Sequence, residues 1–136
     1  MLAKVTNDVI SVRFLTYCLV GAAGIGVHML ALYIGIKAIG LSFNIAQITA
    51  TLLAITSNFV LNNSITFNDL RLHGLRFLLG WAKFTIICGI GALSNIGIAG
   101  WLFEQNGEWS FAGLAGAVVG VFWNFMVSAI FVWRVR

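Results

Sequence analysis

The sequence predicts an all-α integral membrane protein, a four-transmembrane-helix bundle built as two repeated helical hairpins with both termini inside. Three observations lead to this fold class. Of the 136 residues, 60% are hydrophobic and only 9% are charged, whereas soluble domains carry about 25% charge. Four runs of at least 20 residues contain no Asp, Glu, Lys or Arg. The basic residues gather at the ends of these runs in a pattern that alternates along the chain.

The four uncharged runs define the spans. A helix rises about 1.5 Å per residue, so about 20 residues cross a hydrocarbon layer of roughly 30 Å. We predict spans at about 14–36, 43–67, 77–103 and 109–133.

Ahead of the first span, Leu2, Val5, Val9 and Val12 recur at spacings of three and four residues with polar residues between them. This pattern predicts an interfacial amphipathic segment over 1–12. We expect a single transmembrane domain over 1–136, because the tails and loops are too short to bury a water-soluble core.

The distribution of basic residues predicts the orientation. Seven lie at the N-terminus, the middle loop and the C-terminus, and the other two loops hold only Lys37. The positive-inside rule therefore places both termini and the middle loop in the cytoplasm. Trp101 and Trp109 are then expected at the outer interface, and Trp133 at the inner one.

The two halves of the chain resemble each other, which predicts two related hairpins. At an offset of 70 residues, Phe14, Cys18, Gly21 and Ala22 match Phe84, Cys88, Gly91 and Ala92. Ser42-Phe43 matches Ser110-Phe111 at an offset of 68, and Asn58-Phe59 matches Asn124-Phe125 at an offset of 66. Hairpins that both start inside would be related by an axis along the membrane normal.

Polar residues inside the spans are the candidate ligand-binding residues, because lipid offers them no hydrogen-bonding partner. They are Asn58, Asn62, Asn124, Gln47, His28 and Asn95. Asn58 and Asn124 each lie about ten residues from the inner end of a span. Two interpretations are open for this pair: the amides lock helices together, or they bind a phosphate or a sugar. His28 is likewise either a functional residue or a packing residue.

Basic residues at the inner interface are the candidate phosphate-binding residues: Arg13, Arg76 and Lys83. Such side chains commonly extend to lipid phosphates. Binding a lipid-linked phosphate would use the same chemistry. Glycines that recur once per turn in spans 1 and 4 predict close helix packing.

Several function classes lack their required residues. No carboxylate lies within a span and no nucleophile stands beside an evident base, so we expect no enzymatic activity and no cofactor. Two histidines and two isolated cysteines give no metal-binding pattern. The charge of +4 follows from topology, so we expect no nucleic-acid partner. A proton-coupled drug exporter is also disfavoured, because it would need a carboxylate within a span and the predicted spans contain none.

Four segments resemble the GtrA-like membrane protein family. They are Val20–His28, Thr56–Phe67, Gly91–Gly97 and Trp123–Ser128, and the resemblance covers about 13–134. The family's Asn-Phe-x-x-Asn pattern falls on Asn58, Phe59 and Asn62. Many members carry Asp where this chain has His28. The chain is most similar to the four-helix domain at the C-terminus of polyprenyl-phosphate (dolichol-phosphate) mannose synthases, which shares the His.

The resemblance implies a role in cell-surface polysaccharide synthesis at a bacterial or archaeal cytoplasmic membrane. Members are thought to flip a polyprenyl-phosphate-linked monosaccharide to the outer leaflet. The alternative is a non-transporting anchor or assembly partner of a polyprenyl-phosphate glycosyltransferase. The partners expected are a polyprenyl-phosphate sugar lipid, membrane lipids and a separate membrane-associated glycosyltransferase, and a homo-oligomer stays open.

The charge asymmetry makes a testable prediction about topology. A reporter enzyme that is active only in the periplasm, fused after Arg136, should be silent, because that end of the chain is expected in the cytoplasm. The same reporter inserted next to Lys37 should be active. Strong activity of the C-terminal fusion would contradict the predicted orientation.

Overall fold

The described part of the chain is helical in this computed structural model, in agreement with the predicted all-helical membrane class. The structure describes the backbone of residues 2–106 and 109–135, and side chains within 12–93, 97–98, 101, 104–105 and 118–135. Among the described residues, three helices are long and apolar enough to cross a membrane: Val12–Ala38, Phe43–Thr66 and Leu75–Leu93. Val118–Phe131 is a shorter apolar helix.

The chain divides into two compact units, Met1–Arg71 and Leu72–Arg136. In the first unit, helix α1 (Leu2–Tyr33) packs against helix α2 (Phe43–Leu61). Helix α1 runs without a break from Leu2, so the predicted amphipathic segment and the first span share one helix.

A π-helical turn extends each helix of this first hairpin, Ile34–Ala38 after α1 and Asn62–Thr66 after α2. Gly40 then reverses the chain with a φ of +77°. Such a backbone conformation costs glycine little because it has no Cβ. A three-residue helix, Asn68–Leu70, follows the second π-helical turn.

The second unit is a hairpin of the same kind, in which helix α3 (Leu75–Asn106) packs against helix α4 (Trp109–Phe131). The two predicted hairpins are therefore present. Helix α4 also ends in a widened turn, where the amide of Trp133 donates to the carbonyl of Ser128 at 3.2 Å. The amide of Phe67 donates to the carbonyl of Asn62 at 2.8 Å in the same way.

Burial shows how the two hairpins correspond. From Phe59 to the turn after α2, and from Phe125 to the turn after α4, the buried residues fall in pairs 66 positions apart: Phe59 and Phe125, Asn62 and Ser128, Asn63 and Ala129, Thr66 and Val132, Phe67 and Trp133. In α1 and α3 the buried pairs are Tyr17 with Phe84 and Val20 with Ile87, an offset of 67. The internal repeat is confirmed, but the offset of 70 predicted for α1 and α3 is wrong by about one helical turn.

The aromatic belt predicted for Trp133 is also wrong. Its side chain is 2% exposed and packs edge-on against Phe84, with ring centroids 5.7 Å apart. An indole at the membrane interface would instead be open to the lipid headgroups. Trp133 is therefore a packing residue at the C-terminal end of the second hairpin. The thiols of Cys18 and Cys88 are both free.

The burial pattern predicts which side of α2 holds the first hairpin together. Phe59→Ala should lower the free energy of unfolding by about 3–5 kcal/mol, since Phe59 is fully buried and the change opens a cavity. Phe43→Ala is the matched control on the same helix, because Phe43 is 62% exposed. Thermal unfolding of both variants in detergent checks this prediction. Equal losses of stability would mean that the packed face of α2 is elsewhere.

Candidate functional site

The first feature of the site is a close contact between α1 and α2, where Asn58 fills the space above Gly24. Gly24 is buried, and a Cβ placed on it would lie 2.7 Å from Cγ of Asn58 and closer still to its Oδ1. Real Cβ atoms do not approach other atoms so closely. Only glycine at position 24 therefore leaves room for the Asn58 amide between the two helices.

The second hairpin repeats this arrangement with Gly91 on α3 and Asn124 on α4. A Cβ on Gly91, which is also buried, would lie 2.8 Å from Cγ of Asn124 and 3.1 Å from its Nδ2. The structural counterpart of Gly91 is thus Gly24. The sequence match pointed instead to Gly21, where an added Cβ would meet nothing within 4 Å. We call the Gly24–Asn58 contact and the Gly91–Asn124 contact glycine notches, one in each hairpin.

Both notch amides carry a buried oxygen that lacks a hydrogen-bond donor. Oδ1 of Asn58 and Oδ1 of Asn124 are buried and accept no hydrogen bond from any part of the chain that the structure describes. A buried carbonyl oxygen without a donor costs about 1–3 kcal/mol. The same cost at two equivalent positions favours a role for these oxygens beyond packing.

Asn62 is engaged differently, although it lies one turn after Asn58. Its side chain is 1% exposed, and its Oδ1 accepts a hydrogen bond from the hydroxyl of Thr66 at 2.7 Å. This bond lies inside the π-helical turn, so it ties the turn together. In the second hairpin the equivalent of Asn62 is Ser128, whose buried hydroxyl has no partner among the described residues.

The other predicted ligand-binding residues lie near these notches or outside the described part. His28 is half-buried on α1, one turn after Gly24. Gln47 is half-buried at the beginning of α2, where its backbone carbonyl accepts a hydrogen bond from Thr51 at 2.8 Å. The side chain of Asn95 lies outside the described residues.

The three predicted phosphate-binding residues differ in environment. Arg76 and Lys83 are exposed. Arg13 on α1 is only 14% exposed, and its Nη2 donates to Oδ2 of Asp69 at 2.6 Å. The guanidinium also lies 5.8 Å from the ring centroid of Phe67, which is fully buried. The structure therefore presents Arg13 as a cation held in place by its surroundings.

The Arg13–Asp69 pair and the first glycine notch lie at different levels of the first hairpin. Gly24 comes 11 residues after Arg13, and Asn58 comes 11 residues before Asp69. Asp69 lies beyond α2, after the π-helical turn and on the short helix Asn68–Leu70, so no continuous helix joins it to Asn58. Along α1, which is continuous, 11 residues separate the two contacts. The distance along the axis between the two is about 16 Å. The pairing of Arg13 with Asp69 was not predicted from the sequence.

A cavity of about 270 Å³ lies at the opposite end of the first hairpin, near the turn between α1 and α2. Its walls are almost entirely apolar and include Val27, Leu30, Ile34 and Leu53, with Thr49 as a polar exception. Such walls offer a sugar hydroxyl few hydrogen-bonding groups. The cavity therefore suits hydrocarbon rather than a sugar.

Apolar helices that enclose isolated amides and one paired arginine define a small polytopic membrane protein with polar groups buried inside its hairpins. The sequence model of the family described as GtrA/DPMS, transmembrane domain, matches residues 16–133. The chain belongs to this family, as its motifs predicted. Membership places it in membrane processes that involve glycosyl lipids. No curated protein matches the chain.

The glycine notch predicts a coupling between two positions. Gly24→Ala should lower the free energy of unfolding by about 1–3 kcal/mol, because the new methyl group overlaps the Asn58 amide. The same change in an Asn58→Ala background should cost much less, since the overlapping amide is gone. Thermal unfolding in detergent measures both.

Gly26→Ala is the matched control for this cycle. Gly26 lies two residues further along α1, and a Cβ there would meet nothing within 4 Å. Its substitution should leave stability unchanged or raise it slightly, since alanine favours helix. Equal costs of Gly24→Ala in both backgrounds would show that Asn58 does not fill the notch.

Proposed function

We propose that this protein translocates a polyprenyl-phosphate-linked monosaccharide across the cytoplasmic membrane for cell-surface polysaccharide synthesis. The observation that carries the proposal is the pair of buried amide oxygens, Asn58 Oδ1 and Asn124 Oδ1, which have no donor among the described residues. A sugar brings hydroxyl donors into a region where lipid brings none. The amides would replace the water that hydrates the sugar on either side of the membrane.

The position of Arg13 supports entry from the cytoplasmic side. Its guanidinium can bind two phosphate oxygens in a forked geometry, which makes arginine well suited to phosphate. The positive-inside rule expects this residue at the inner interface, where a lipid phosphate lies. By the same rule, the exposed basic residues of the middle loop, Arg71 and Arg76, are expected on the cytoplasmic side of the membrane.

Because Arg13 and the amide of Asn58 are far apart, the headgroup would contact them one after the other. Arg13 and Asn58 are about 16 Å apart along the helix axis, which is longer than a phosphate joined to one sugar. A single headgroup therefore cannot contact both at once. The arginine would bind the phosphate at entry, and the amides would bind the sugar during passage. Since no energy source is apparent in the sequence, the concentration gradient of the lipid would drive the movement.

A second candidate function is a non-transporting assembly partner of a polyprenyl-phosphate glycosyltransferase. The observation that favours it is that Gly21 and Gly26 on α1 have nothing within 4 Å of an added Cβ. Small residues of this kind allow another membrane helix to approach closely. In this case the protein would bind the enzyme and would leave the rate of lipid movement unchanged.

Reconstitution in liposomes distinguishes the two candidates. Pure protein is incorporated with a labelled polyprenyl-phosphate hexose on one leaflet, and the label on the opposite leaflet is followed over time. Faster appearance of label than in protein-free liposomes supports translocation. An unchanged rate, combined with tight co-purification of a glycosyltransferase, supports the assembly partner.

The buried amides predict how variants behave in this assay. Asn58→Ala and Asn124→Ala should each slow translocation per folded molecule by about 3- to 30-fold, the equivalent of one lost hydrogen bond in a membrane. Asn44→Ala, at an exposed position of α2, is the matched control and should keep the full rate. Normal activity per folded molecule in both notch variants would contradict a ligand-binding role for the amides.

A further inference from the structure

Arg13 and Asp69 form an ion pair whose two ends are held very differently. The arginine side chain is 14% exposed and lies against the fully buried ring of Phe67. Asp69 is 60% exposed and lies on the short helix Asn68–Leu70 in the loop after α2. The protein therefore fixes the cation, while the carboxylate reaches it from the surface.

The arginine also has binding capacity that the carboxylate does not use. Nη2 donates to Asp69 at 2.6 Å, whereas the buried Nη1 has no partner within the described part of the chain. A guanidinium presents its donors as a planar fork that matches two oxygens of one anion. Asp69 thus accepts a hydrogen bond from Nη2, and the Nη1 side of the guanidinium is not satisfied by it.

The second hairpin shows that the pair is not required to close a hairpin of this kind. At the structural offsets of 67 and 66, Gly80 takes the place of Arg13 and Val135 takes the place of Asp69. The same series of buried positions nevertheless closes the second hairpin, with Trp133 packed on Phe84. The ion pair is therefore an addition to the shared fold, found in one hairpin and absent from its described counterpart.

We propose that Asp69 is a built-in counter-ion that occupies the Arg13 guanidinium until the phosphate of a lipid displaces it. This inference deepens the proposed function and rests on it for the identity of the lipid. Carboxylate and phosphate are the two anions that fit the arginine fork. Only the carboxylate end of the pair is exposed, and the incoming phosphate takes its place on the arginine, so the buried cation is not left unpaired. The phosphate brings further oxygens that can reach Nη1.

A binding measurement on the full-length protein tests the displacement. The protein is placed in nanodiscs of phosphatidylcholine and titrated with a synthetic polyprenyl monophosphate that carries no sugar. Asp69→Asn should tighten binding by about two- to five-fold, the range expected for removal of a competing exposed ion pair. Arg13→Gln should weaken binding by about tenfold or more, since it removes a charge-assisted contact to phosphate. Unchanged affinity of the Asp69→Asn variant would overturn the proposal.

The double variant separates displacement from a general change of charge. In the Arg13→Gln background, Asp69→Asn should give no further gain, because the carboxylate then has no cation to occupy. Glu104→Gln and Lys37→Gln remove one charge at other exposed positions and should leave the affinity unchanged. A gain from Asp69→Asn that persists without Arg13 would overturn the proposal, since it would reflect net charge alone.

Two further arms identify the source of the phosphate and keep the two proposals apart. In the first arm, phosphatidylglycerol in the nanodiscs replaces the polyprenyl monophosphate as the lipid that is bound. Asp69→Asn should not tighten binding to this phosphodiester, which is an ordinary membrane lipid. An equal gain would overturn the assignment to polyprenyl lipid. If Asp69→Asn binds more tightly while wild-type protein moves no lipid in liposomes, the counter-ion is supported and translocation fails. If wild-type protein moves the lipid and Asp69→Asn leaves the affinity unchanged, translocation is supported and the counter-ion proposal fails.

Discussion

The close approach of two helices at a buried glycine is the constraint on which each hairpin depends. At Gly24 and at Gly91 the absence of a Cβ admits an amide from the facing helix into the contact. In a membrane, helices are held by packing and by polar contacts, because burial in lipid gives no hydrophobic driving force between them. The glycine thus determines both how near the helices come and where the polar group of each hairpin lies. Buried aromatic residues, Phe59 and Phe125, follow the amides directly in α2 and α4.

The repeat determines which differences between the halves have functional interest. Shared positions, such as the amides and the buried aromatic series, belong to the common hairpin. Positions that differ between the two halves are not needed to form the common hairpin. Asn62 and Thr66, which share a hydrogen bond, are replaced by Ser128 and Val132 at the equivalent positions of the second hairpin. Arg13 is replaced by Gly80. Polar groups are thus concentrated toward the end of the first hairpin that holds Arg13, where the proposed translocation would begin with contact to a lipid headgroup.

Much of this architecture could be predicted from the sequence. Uncharged runs determined the helices, and the match of Asn58-Phe59 with Asn124-Phe125 was found at its correct offset. The correspondence of α1 with α3 was misplaced by about one turn, because Gly21 and Gly24 lie close together and either can be matched to Gly91. Only the facing helix distinguishes them, and that contact is tertiary. The burial of Trp133 and the partner of Arg13 were missed for the same reason. Each depends on a residue more than 45 positions away.

Among the described residues, the Arg13–Asp69 ion pair occurs in one hairpin and not in the other, and this difference has a consequence for symmetry. Two identical chains of one hairpin each, assembled around a two-fold axis, would present every residue twice. A charged pair placed in such a dimer would necessarily occur in both copies. Covalent linkage of the hairpins removes that obligation, and this chain has Arg13 and Asp69 in one copy with Gly80 and Val135 in the other. Duplication within one polypeptide therefore permits a membrane protein built from two like hairpins to treat its two halves unequally.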